Sequence, residues 1–169
     1  MDKYIRWPQM AAVLTILIQT FEHNKYADKA LESEFKKNRN WGAKDRKIIA
    51  ETTYDMLRWW RTLHAFLKWD WQKQKTEIDY WTLALLWMKW RNYQWPNWEV
   101  SEKIKPILSD INFASYPLAA SEEHSITDEL YEIGYSELGS KWHEYLKILN
   151  EQAPVFLRIN SLKTNQEKL

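Results

Sequence analysis

Residues Gly42–Arg61 read GAKDRKIIAETTYDMLRWWR, and this stretch joins the clearest helical period in the chain to its densest positive charge. Ile48, Ile49, Thr52, Met56, Leu57, Trp60 and Leu63 recur at spacings of three and four, which places them on one face of an α-helix. That face requires burial. Asp45 falls in the first turn after Gly42, where a carboxylate complements the positive end of the helix dipole. Between Lys36 and Arg61 eight cations (Lys36, Lys37, Arg39, Lys44, Arg46, Lys47, Arg58 and Arg61) face three carboxylates (Asp45, Glu51 and Asp55). The local net of +5 stands out in a chain whose total is +1. The helix therefore reads as the middle of a helical core and one edge of a polyanion-binding face.

The same pattern extends outward. Trp7-Pro8 opens a helix, since proline is tolerated in a first turn, and Met10, Val13, Leu14, Leu17, Ile18 and Phe21 form its stripe to about His23. From Tyr26 to about Lys37, Ala27, Ala30, Leu31 and Phe35 oppose Asp28, Lys29, Glu32, Glu34 and Lys36, the pattern of an amphipathic surface helix. After a loop at 37–42, the third helix is expected to run without a break to about Lys68. Three helices with short links predict a bundle. A fourth is predicted over Asp79 to about Tyr93, burying Leu83, Leu86, Trp87 and Trp90 and stopped by Trp95-Pro96-Asn97. Ser101 is read as the cap of a fifth, and Asn112 to Ser125 as a connection. Further helices are expected over Thr127 to Ile133 and Gly139 to Asn150, the latter turning Trp142, Tyr145, Leu146 and Leu149 inward. Val155 to Asn160 alternates in part and reads as a strand, with another helix beginning near Thr164 and Glu167.

Composition removes several chemistries. The chain has no cysteine, which excludes disulfides, thiolate metal sites and a cysteine nucleophile, and suits a cytoplasmic protein. Its longest apolar run, Ala11 to Ile18, is far shorter than the ~20 residues of a membrane span. Three glycines leave no glycine-rich phosphate loop, so no nucleotide cofactor site is expected here. His23, His64, His124 and His143 lack metal-site spacing, and the adjacent Glu122-Glu123 reads as a solvated loop. No catalytic residue is assigned.

The basic segment admits two readings. Cations displaced along a helix and its preceding loop can neutralise successive phosphates, with Lys36, Lys37, Arg39, Lys44, Arg46, Lys47, Arg58 and Arg61 as the candidate RNA-binding residues. Alternatively they are a solvated face paired to Glu51 or Asp55 in adjacent turns, with Arg46 structural. The twelve tryptophans divide similarly. Trp59, Trp69 and Trp71 are candidates to stack on unpaired bases or to hold another protein, whereas Trp60, Trp87, Trp90 and Trp142 sit at core spacing.

Several segments carry a family resemblance. Ala27-Asp28-Lys29-Ala30-Leu31, Gly42-Ala43-Lys44-Asp45-Arg46, Ile49-Ala50-Glu51 and Tyr54-Asp55-Met56-Leu57-Arg58 resemble the N-terminal helical domain of the RsmB (Sun, Fmu) family of RNA cytosine-5 methyltransferases. Residues 149–164, LNEQAPVFLRINSLKT, are similar to the family's junction segment. The helical part also resembles the antitermination factor NusB, whose fold the family shares. Where the family often has proline and tryptophan after the serine of the pre-junction helix, this chain reads Ser125-Ile126-Thr127-Asp128.

The resemblance implies an all-α, NusB-like RNA-binding bundle over 1–112, linker helices over 113–152, and the start of a methyltransferase subdomain with its strand over 153–169. It further implies a parent enzyme that uses S-adenosylmethionine to methylate carbon 5 of cytosine in ribosomal or transfer RNA. Two cysteines of a downstream domain would do that chemistry, so this chain's partners would be RNA and its own catalytic domain. A freestanding NusB-like module for RNA or protein, and a protein-interaction bundle, are the other readings.

Overall fold

Four of the helices begin in the same way: the third residue of the helix turns its side chain back to accept the free N–H of the residue before the helix. In the computed structural model, which describes residues 3–151, Gln9 Oε1 accepts from the Arg6 N–H at 2.8 Å at the start of α1 (Trp7–Phe21). Asp79 Oδ2 does so for Thr76 at 2.8 Å, starting α5 (Glu77–Trp90). Ser101 Oγ serves Trp98 at 3.1 Å in α6 (Glu99–Leu108), and Glu122 Oε2 serves Ala119 at 2.9 Å in α7 (Ala120–Glu123). Ser101 is thus inside its helix and not the cap expected from sequence. Glu122 and Glu123 lie on a short helix where a loop was expected.

The remaining helices are α2 (Ala27–Lys37), α3 (Ala43–Arg58), α4 (Trp60–Phe66), α8 (Asp128–Leu138) and α9 (Lys141–Asn150). All regular structure among the described residues is helical, apart from one isolated bridge between Lys3 and Tyr93. The strand read over Val155 to Asn160, the helix near Thr164 and the domain start at 153 lie outside those residues.

Helix α1, and not α3, occupies the middle of the first unit. It packs against α2, α3 and α5, and buries Gln9, Met10, Ala12, Val13, Leu14, Ile16 and Leu17, more of its surface than one stripe. In α5 every residue from Tyr80 to Met88 is buried. A helix apolar all round belongs in an interior. By contrast, α3 buries Ile49, Thr52, Thr53 and Met56 and leaves its opposite side to solvent, so it flanks the core. On α2, Ala30 and Leu31 are buried as expected, but Glu34 is buried too, its Oε1 accepting from Asn38 Nδ2 at 2.7 Å.

The long helix expected from Gly42 to Lys68 breaks at Trp59, whose backbone leaves helical values (φ −103°, ψ 22°). The side-chain period runs on through the break, with Trp60 and Leu63 buried. What compensates the backbone comes from far along the chain. The Arg61 N–H donates to Ser125 Oγ at 3.2 Å and Thr62 Oγ1 donates to the Glu122 carbonyl at 2.5 Å. Phe113 and Tyr116 set their rings edge-on to Phe66 at 4.9 and 5.3 Å.

These bonds also explain where the first unit ends. The chain separates into Met1–Tyr131 and Glu132–Leu169, with residues 113–131 folded against α4, whereas the sequence places the first boundary at 112. In the second unit, Gly134 lies against the Trp142 indole and Leu146 is buried. Gly139 takes φ +58° just past the end of α8, the left-handed cap that glycine adopts without strain. Tyr145 and Leu149, expected inward, are exposed.

Candidate nucleic-acid interface

The eight cations singled out in the sequence do not form one continuous face. Six of them (Lys36, Lys37, Arg39, Lys44, Arg46 and Lys47) gather where α2 ends and α3 begins, a region set by the 38–42 turn. Arg58 is the last residue of α3, about 18 Å from Arg46 at ~1.5 Å per residue. Arg61 is used internally. Its side chain is only 12% exposed, donates to the Ile126 carbonyl and pairs with Asp128 at 2.6 Å. Hydrogen bonds from Ser121 and Arg61 hold the Asp128 carboxyl below its ordinary pKa. The candidate phosphate contacts at Arg58 and Arg61 therefore do not belong to the cluster.

Within the cluster, carboxylates take some of the charge. Lys36 pairs with Glu32 at 2.7 Å and Lys47 with Glu51 at 3.7 Å, both one turn apart on exposed faces. Such exposed pairs are weak and do not hold a lysine against a phosphate. Asp45, which would have offset Lys44 or Arg46, is drawn to the other side. It accepts from Arg6 and, at 2.8 Å, from Gln9 Nε2. Desolvation works against its charge, but the bonds from Gln9 and Arg6 outweigh this and keep its pKa low. Asp55 is likewise spent, accepting from Trp87 Nε1 at 2.7 Å and from Arg91 at 2.7 and 2.8 Å. Lys37, Arg39, Lys44 and Arg46 are left without a carboxylate partner among the described residues.

Arg46 is exposed yet fixed. Its Nε donates to the Trp41 carbonyl at 2.9 Å, and the guanidinium lies 5.7 Å from the centre of the Phe35 ring. Around it, Glu32, Phe35, Lys36, Arg39 and Arg46 line an open depression of about 510 Å³. The floor is half-buried Phe35, packed against the core, and most of the rim is cationic. An anion with an attached planar group meets both halves of this surface. Sequence reasoning found the charges and put Phe35 on the apolar side of α2, but not beside Arg46, because no helical period links positions in two different helices eleven residues apart.

The three candidate stacking tryptophans have other neighbours. Trp59 lies edge-on to Trp90 at 5.4 Å and beneath the Arg91 guanidinium, also at 5.4 Å. Trp69 lies edge-on to buried His64 at 6.4 Å. Trp71 borders a separate open depression with Phe21 and Trp60. The most exposed indole is Trp7, read in the sequence only as a helix start, and it stacks on Trp81 at 4.1 Å. Trp60 and Trp87 are buried, while Trp90 and Trp142 are half-buried.

No group of three or more potential metal-ligating side chains occurs among the described residues. His64 and His124 are buried, His143 is half-buried and His23 is exposed. No helix among these residues is long and apolar enough to cross a membrane. Comparison of the chain with protein-family models, with curated proteins and with solved structures returns no match. What the described residues define on their own is an all-helical fold bearing a cationic depression with an aromatic floor.

Proposed function

We propose that this chain is the RNA-binding, NusB-like part of an S-adenosylmethionine-dependent RNA cytosine-5 methyltransferase, and that it positions ribosomal or transfer RNA for a downstream catalytic domain. The observation that carries this reading is the set Lys37, Arg39, Lys44 and Arg46, cations with no carboxylate partner among the described residues, placed where α2 ends and α3 begins, with Arg39 and Arg46 lining the depression beside Phe35. Uncompensated charge at that density is what a phosphate backbone neutralises. The resemblance of residues 27–58 and 149–164 to the RsmB family supplies the reaction.

The second unit supports a downstream partner. Ile133, Leu138, Tyr145 and Ile148 are exposed there, with Ile148 at 62%, although the hairpin buries little beyond Leu146, Gly134 and part of Trp142. Apolar helix faces of this kind are covered by further protein in a finished fold. We assign that covering role to the catalytic domain. The methyl donor belongs to the same domain: its sulfonium is cationic, and the cation-lined depression does not suit it.

The test is a salt titration of RNA affinity. Fluorescence anisotropy of a labelled ribosomal stem-loop with the 169-residue chain should give a logarithmic slope of about −3 against salt, the value for roughly four single-stranded phosphate contacts. A flat profile, or no binding at low salt, contradicts the reading. A freestanding module would bind RNA at full affinity by itself, whereas a positioning domain gains affinity when a catalytic domain is attached.

A further inference from the structure

We infer that the Arg46 guanidinium is a stacking shelf for one unpaired base, so that the cationic depression selects single-stranded or looped RNA over duplex. This rests on the RNA-binding reading and deepens it. The guanidinium carbon lies over the Phe35 ring, 5.7 Å from its centre, and the Nε bond to the Trp41 carbonyl at 2.9 Å tethers it there. The residue is exposed, which leaves room for a planar partner on its outer side. A base would then stack on the guanidinium plane, a mode by which proteins hold splayed-out bases.

The rest of the depression suits the sugar and phosphate of the same nucleotide. Arg39 and Lys36 line it with Arg46, and its volume of about 510 Å³ is of the size that takes a small ligand. The one carboxylate in the lining, Glu32, is held by Lys36 at 2.7 Å and by Lys29 at 3.6 Å, and the bond from Lys36 above all lowers its pKa. Its charge is therefore already matched when a phosphate arrives. A base inside a duplex is stacked on both faces and cannot reach the shelf.

Arg46→Lys separates this from simple phosphate attraction, because lysine keeps the charge and loses the plane. Anisotropy is measured with an oligo(A) RNA of about a dozen nucleotides and with an RNA duplex of similar length. For the wild-type chain, binding of the single strand should exceed that of the duplex. Arg46→Lys should weaken the single strand roughly five- to a hundredfold more than it weakens the duplex, the range for one lost base stack. Phe35→Leu, which keeps an apolar side chain beneath the guanidinium, should weaken the single strand in the same sense, with circular dichroism reporting that both variants fold. Equal losses on both RNAs, or no loss on the single strand in either variant, would overturn the shelf while leaving RNA binding in place. Absence of any RNA binding by the wild-type chain would overturn both.

Discussion

His64 lies one turn after Trp60, whose carbonyl receives its Nδ1–H at 2.7 Å, while the opposite nitrogen, Nε2, is buried without a partner. Burial is the main reason its pKa falls from 6.5 to about 4, since a proton on Nε2 would place a charge between the rings of Trp60 and Trp69. The sign follows directly. The unfolded chain takes up this proton at higher pH than the folded one, so the stability that neutral His64 provides is complete above about pH 6.5 and is lost as the pH falls toward 4. Relative to His64→Leu, the wild-type protein should lose about 3 kcal/mol across that window by urea denaturation. Parallel profiles for the two proteins would mean that His64 ionises while folded. The sequence reading did not separate His64 from the other histidines, although its place one turn after buried Trp60 carried the signal.

Helices α3 and α5 meet at Asp55, where Trp87 Nε1 and both Arg91 contacts converge, and where Arg91 also covers Trp90 at 4.1 Å. Asp55 and Arg91 keep roughly a third of their side-chain surface in water, so the penalty for breaking the pair is below that of a fully buried one. Asp55→Asn should cost about 1–3 kcal/mol in denaturant melts with an unchanged slope. The hairpin of α8 and α9 gives a prediction of reversed sign. Glycine inside a helix is normally worse than alanine by ~1 kcal/mol, so Gly134→Ala would ordinarily stabilise α8. Here an added Cβ would fall 2.6 Å from Trp142 Cζ2 and 2.7 Å from Cδ2, and the overlap outweighs propensity. The variant should lose helicity and shift tryptophan emission to the red; a gain in helicity would show that Trp142 gives way. Helix starts such as Trp7 and the 43–58 segment were legible because period and first-turn residues agree. The break at Trp59 was not, since the acceptor for the Arg61 N–H, Ser125 Oγ, lies more than sixty residues along.

Across the whole molecule, the positive cluster was visible in the order of residues, but its extent was not. The pairs of Lys36 with Glu32 and Lys47 with Glu51 follow from helical spacing. The removal of Arg61 by Asp128, and of Asp45 by Arg6, joins positions far apart in the chain and needs the fold. Those two exchanges leave a smaller and less compensated patch than the sequence implied, centred on Lys37, Arg39, Lys44 and Arg46. The most direct test replaces Lys37, Arg39 and Lys44 with glutamate, leaving the Arg46 shelf intact, and measures stem-loop RNA affinity at low salt by anisotropy. The account predicts a loss of more than about a hundredfold, a flattened salt dependence and an unaltered helical circular dichroism spectrum. Wild-type affinity in that variant would return these residues to the role of a solvated helix edge.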